Sequence, residues 1–282
     1  MAVAVNQRRR HRLDAERPER PQCMTCGREI QPVQTETMTF VGAAGSRLAG
    51  LIRRPDGPVV GSAVFAHCFT CGKDLHTLSR LARRLTEAGW LTLTFDFTGI
   101  GGSEGDFVDT TVRTEVGDIT RAAVAMLERN AGPCLVVGHS LGGAAAALAA
   151  HRLHTVSELV LIAAPADTAH IEHLFEGSTP DENGDIEVTI GGRSFPIGRP
   201  FLDQLGANDV ASAVGELDIP VLIVAAGADT VVGADQTERL VTAARDGSLV
   251  TIPEADHLFS HPNQAAALAH EVIAWLNTRR RS

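Results

Sequence analysis

The apolar positions of the chain fall into two alternating rhythms from residue 37 onward. Unbroken apolar runs of strand length recur as VVGSAVFAH (59–67), WLTLTFDF (90–97), CLVVG (134–138), ELVLIAAPA (158–166), IPVLIVAAG (219–227) and SLVTIP (248–253). Runs of this kind mark strands buried on both faces. Between them lie segments with helical spacing. HTLSRLARRLTEAG (76–89) puts Leu78, Leu81 and Leu85 on one face and stops at Gly89. Residues 110–130, 140–153, 232–247 and 263–280 read the same way. Ahead of them, TMTFVGAAGSRLAGLIRRP (37–55) alternates as two short strands around a Gly-rich turn. Strands alternating with helices predict an α/β architecture: a mostly parallel central sheet covered by helices on both faces. Ligands in such sheets bind at the carboxyl ends of the strands.

Two stretches break the rhythm. Residues 165–216 lack the strand–helix alternation and contain a predicted hairpin, DIEVTIGGRSFPIG (185–198). This interval reads as a lid inserted above the sheet, with Phe175, Phe195 and Phe201 as its aromatic contributors. Residues 1–36 are rich in Arg, Glu, Gln and Pro and poor in large apolar side chains, the composition of a disordered segment. Its Arg8–Arg10 run lacks the apolar stretch of an export signal. The expected division is therefore a disordered segment, 1–36, and one domain, 37–282.

Charge narrows the partners. The net charge is −9, and the first 36 residues hold seven Arg against five acidic residues, leaving about −11 on the rest. An acidic surface argues against nucleic acid. No apolar run reaches the ~18 residues of a membrane span. There is no tyrosine to serve as acid, base or donor. Five cysteines include two C-x-x-C pairs, Cys23/Cys26 and Cys68/Cys71, too far apart for a zinc ribbon. With no secretion signal, reduced thiols and a cytoplasmic location are expected.

Candidate chemistry starts at Gly138-His139-Ser140-Leu141-Gly142, which fits G-x-S-x-G between a strand and a helix. The turn is tight enough that side chains at Gly138 and Gly142 would collide. The serine is then held in strained backbone with its hydroxyl exposed above the sheet. The following helix aims its N-terminus at developing negative charge. Serine needs a base, and the base an orienting carboxylate. Asp229 follows one strand and His257 the next, in the order Ser, Asp, His. Asp218 lies at the wrong strand end, Asp235 inside a helix, and Asp256 beside the base pointing elsewhere. His261 is the rival base, and His139 is expected to pack beside the serine. An oxyanion needs two backbone N–H donors. Leu141 supplies one. The other comes from the loop His67-Cys68-Phe69-Thr70-Cys71-Gly72, with Phe69 first and Cys68 second.

GHSLGG, the aspartate after one strand and the DH after the next resemble the α/β-hydrolase family over residues 37–282. HCFTCGKD, FDFTGIGGSEGDF and EADHLFS add a closer resemblance to the hydrolase half of bifunctional proteins that carry an OsmC-type peroxide-reductase domain. The resemblance implies an α/β-hydrolase fold and a serine hydrolase acting on a small acyl ester. It also implies a stand-alone form with an OsmC-type protein as partner. Ser140, Asp229 and His257 form the expected catalytic set, and no metal or organic cofactor is needed. Thioesterase, peptidase and perhydrolase chemistry on the same triad stay open, as does a thiol-redox accessory role through Cys68 and Cys71. His170 and His173 are spaced for a metal at i, i+3 but read as polar residues of the lid.

Overall fold

The computed structural model describes residues 33–129, 134–190 and 192–280, with the side chain of His173 left aside. Cys23, Cys26 and nearly all of the expected disordered segment lie outside the described residues. The first strand begins at Gln34 rather than Thr37. It pairs antiparallel along its whole length with the next strand, from Gln34 with Arg54 to Val41 with Arg47.

The strands are β1 (Gln34–Val41), β2 (Arg47–Arg54), β3 (Gly61–Ala66), β4 (Trp90–Phe95), β5 (Cys134–His139), β6 (Val156–Ile162), β7 (Ile186–Ile190), β8 (Arg193–Ile197), β9 (Val221–Ala226) and β10 (Gly247–Ile252). Eight form one sheet in the order β1-β2-β4-β3-β5-β6-β9-β10. β1, β2 and β4 are joined antiparallel, and every pairing from β4 to β10 is parallel. The helices are α1 (His76–Glu87), α2 (Val112–Leu127), α3 (Leu141–Ala150), α4 (Arg199–Leu202), α5 (Val210–Gly215), α6 (Ala234–Ala243) and α7 (Pro262–Arg279).

Alternate strand residues feed two separate cores. Ala63, Phe65, Leu135 and Val137 pack with Leu78, Leu81 and Leu85 of α1 and with Leu268 and Val272 of α7. Val64, Ala66 and Val136 pack with Val116 and Ile119 of α2, the alanines of α3, and Leu240 of α6. Helices thus cover both faces, as the continuous apolar runs require.

The sheet order also fixes where a site can form. From β3 the chain crosses through α1 to β4 on one side, and from β5 through α3 to β6 on the other. The carboxyl ends of β3 and β5 lie side by side with their connections leaving in opposite directions, which opens a crevice between them. The expected lid interval holds a 3-10 helix over Thr168–Phe175, the β7–β8 hairpin, α4, a second 3-10 turn and α5. The hairpin is its own two-stranded sheet.

Candidate active site

β5 ends at His139, and α3 starts at Leu141, so Ser140 alone makes the turn. Its backbone is left-handed, φ 55°, a conformation non-glycine residues adopt only under constraint. The flanking glycines are required by contact. A Cβ on Gly138 would lie 2.5 Å from the Gly142 carbonyl oxygen and from Gly143 Cα. A Cβ on Gly142 would lie 2.1 Å from the carbonyl oxygen of His67. The second collision is therefore with the loop after β3, not within the elbow. α3 fits against the sheet because its buried face is alanine.

Three loops converge on Ser140. The loop after β10 brings His257 Nε2 to 3.0 Å from Ser140 Oγ. The loop after β9 brings Asp229 Oδ2 to 2.8 Å from His257 Nδ1. Asp229 Oδ1 accepts from the N–H groups of Val231 at 2.8 Å and Val232 at 2.9 Å. Burial pushes the Asp229 carboxyl up, but the bonds from His257 and from those two N–H groups outweigh it and hold the group below the usual carboxylate range. A carboxylate that stays ionised fixes the proton on His257 Nδ1 and leaves Nε2 to face the serine.

The third loop follows β3. His67 is buried; its Nδ1–H donates to the Cys68 carbonyl at 2.8 Å, and Nε2 accepts weakly from Phe97 N–H at 3.4 Å. Burial lowers its pKa to about 4, so it is a neutral brace. Cys71 N–H donates to the same carbonyl at 3.0 Å. Asp96 holds the end of this loop, accepting from Lys73 N–H at 2.7 Å, Lys73 Nζ at 2.7 Å and Gly102 N–H at 2.9 Å. Phe69, Cys68, Leu141, Ser140 and His257 all line one cavity of about 800 Å³. Ile171, Leu174, Ile190 and Phe195 of the inserted interval line the same cavity, and its walls are mostly apolar. Phe69 itself stacks on Phe201 with ring centroids 4.7 Å apart and touches Phe107 and Phe175.

The rival residues make other contacts. Asp218 pairs with Arg245 on the surface, Asp235 sits in the first turn of α6, and Asp256 accepts from Ser260 N–H at 2.8 Å. His261 caps α7. His139 does not merely pack beside the serine: its Nε2 lies 2.8 Å from the His257 carbonyl. His170 donates to the Val231 carbonyl, and among the described residues no group of three potential ligands could hold a metal. One expectation is corrected. Cys68 and Cys71 are joined in a disulfide rather than reduced; the turn between them brings their Cα atoms to 5.3 Å, a separation that permits the bond. Cys134 is free and buried. No described helix is long and apolar enough to cross a membrane.

A family model described as serine aminopeptidase, S33, matches residues 63–175. The esterase domain of a Rhodothermus marinus protein is 36% identical, with 86% of this chain and 97% of that one covered at a TM-score of 0.71. The chain belongs to the esterase-like α/β-hydrolase family. More distant hydrolases share the fold. Est1E from Butyrivibrio proteoclasticus, solved with ferulic acid, is 21% identical over 87% of this hydrolase and 100% of its own chain, with a TM-score of 0.74. A serine hydrolase without a lid from Xanthomonas campestris is 20% identical over 87% and 97%, with a TM-score of 0.62. A comparison with curated protein sequences gives no significant match. These likenesses concern the hydrolase itself and leave the OsmC-type partner untouched.

Proposed function

We propose that this hydrolase cleaves carboxylic esters of small molecules through an acyl-enzyme on Ser140. The reading is carried by one observation, the continuous hydrogen-bonded path Ser140 Oγ–His257 Nε2 and His257 Nδ1–Asp229 at 3.0 and 2.8 Å. Ser140 Oγ attacks the acyl carbon while His257 Nε2 takes its proton. Asp229 stabilises the resulting imidazolium. The N–H groups of Leu141 and Phe69 hold the oxyanion; no acceptor among the described residues takes either of them. Collapse expels the alkoxide, which receives the proton from His257. Water, deprotonated by the same nitrogen, then releases the acid and restores the serine. Protons balance through His257 alone, so the cycle calls for no metal or organic cofactor.

Residues 165–216 act as the lid in this reading, and their aliphatic and Phe side chains favour an apolar acyl or alkyl group. The test is covalent labelling with a fluorophosphonate, mapped to a peptide, beside release of nitrophenol from short and medium acyl esters. Label on Ser140 and ester turnover, both lost in Ser140→Ala, are expected. A folded protein with neither overturns the proposal. The aminopeptidase description of the family model favours a second reading, and amino-acid nitroanilides in the same assay decide between ester and amide.

A further inference from the structure

His139 is a residue the reaction just described does not use. Its side chain is fully buried, and its ring centroid is 5.1 Å from that of His257. Nε2 lies 2.8 Å from the His257 carbonyl oxygen. A carbonyl only accepts, so Nε2 carries the proton and Nδ1 is an acceptor. Nδ1 has no partner among the described residues. A buried acceptor without a donor is costly, so packing alone favours an apolar side chain here. Burial, and then the neighbouring His257 charge, lower the pKa to about 4, so the ring is neutral and presents one N–H to one carbonyl.

The carbonyl it holds belongs to a loop that needs holding. Glu254 and Phe259 bracket His257 with φ of 58° and 52°, left-handed at two non-glycine residues. Such backbone persists only when its surroundings impose it. Thr77 of α1 donates its hydroxyl to the next carbonyl, Leu258 O, at 2.5 Å. Successive carbonyls of the base-bearing loop are thus tied to two different elements, and the His139 tie runs to the elbow that also carries Ser140.

We propose that His139 is a positioning residue: its Nε2–H, bonded to the His257 carbonyl, locks the base-bearing loop to the nucleophile elbow and sets the Ser140–His257 distance. The inference rests on the esterase reading. It is tested with His139→Leu, which removes the donor, His139→Gln, whose amide N–H reaches the same carbonyl, and His139→Asn, whose shorter amide does not. A drift of about 1 Å at the reacting atoms costs about 100-fold, so His139→Leu and His139→Asn should lose about that factor in kcat and in the rate of fluorophosphonate labelling. In His139→Leu, KM and the denaturation midpoint should stay near wild type, since the unpartnered Nδ1 is removed as the His257 carbonyl loses its donor. His139→Gln should restore most of both rates. If Leu and Asn variants turn over and label like wild type, or if Gln loses as much as Asn, the proposal falls. Should His139→Leu not fold, the Gln–Asn contrast decides alone. A wild-type protein that neither labels nor turns over instead sinks the esterase reading, and this one with it.

Discussion

Glu115 sits in the first turn of α2, 5% exposed, with Oε2 lacking a partner among the described residues. One turn on, Asp118 accepts from Ala43 N–H at 2.9 Å, Thr98 N–H at 3.1 Å and Thr98 Oγ1 at 2.8 Å. Burial, and then the Asp118 charge, push the Glu115 pKa from 4.5 up to about 8. The helix N-terminus favours a carboxylate there by only about 0.3–1 kcal/mol, so desolvation wins. The folded protein therefore keeps this proton across a window in which the unfolded chain has lost it. The contribution to stability is intact below pH 4.5 and is lost progressively as pH rises to about 8. At 1.36 kcal/mol for each tenfold change in proton concentration, the loss is at most about 5 kcal/mol. Glu115→Gln keeps the shape and removes the ionisation. Urea unfolding should find the variant within about 1 kcal/mol of wild type at about pH 5, and more stable by about 2–5 kcal/mol at about pH 9. Parallel stability curves for the two proteins across that range would refute the assignment of a buried, proton-retaining carboxyl.

Three further outcomes follow from the site. Asp229→Asn should fold normally yet lose about 10³- to 10⁴-fold in kcat, since the wrong His257 tautomer is then favoured; steady-state ester turnover reads this. Gly142→Ala places a methyl group against the His67 carbonyl oxygen, and should lower the unfolding free energy by at least about 3 kcal/mol or prevent soluble expression. Reduction of the Cys68–Cys71 disulfide by a dithiol frees the turn that carries Phe69 N–H. It should lower kcat by about 10-fold, less than full loss of an oxyanion donor, and reoxidation should restore it. Thiol titration beside ester turnover measures both.

Much of this molecule is legible along the chain. Continuous apolar runs mark five of the six parallel strands because each is buried on two faces, whereas β10, at the sheet edge, is half exposed despite the same kind of run. The inserted hairpin announces itself by Gly191-Gly192 between alternating segments. Asp229 and His257 can be found because strand order puts functional residues at strand ends, and proximity in space follows from the parallel sheet. The edge strand is harder. Gln34-Thr35-Glu36 are exposed and polar, so nothing but their pairing with β2 makes them strand. Glu115 reads as the polar side of an amphipathic helix, and in the fold it lies buried beside Phe97, Thr98, Ile100 and Phe107 of the segment after β4. The bonds from His139 to His257 and from Thr77 to Leu258 span 118 and 181 residues, distances at which no local pattern carries information. The disulfide escaped for a different reason: C-x-x-C spacing permits the bond but redox chemistry decides it.

The aromatic stack around Phe69 has a consequence for how this scaffold can diversify. Phe201 and Phe175, from the insertion, rest on the ring of Phe69, the residue whose N–H the proposed mechanism gives to the oxyanion. Insertions above a sheet are ordinarily exchangeable modules, free to vary while the machinery beneath is kept. Here the module and the machinery share a side chain. Grafting a different insertion to alter substrate range would remove the rings that seat Phe69, and turnover would change together with selectivity. Independent tuning would require the Phe69, Phe175 and Phe201 set to be transplanted as one unit.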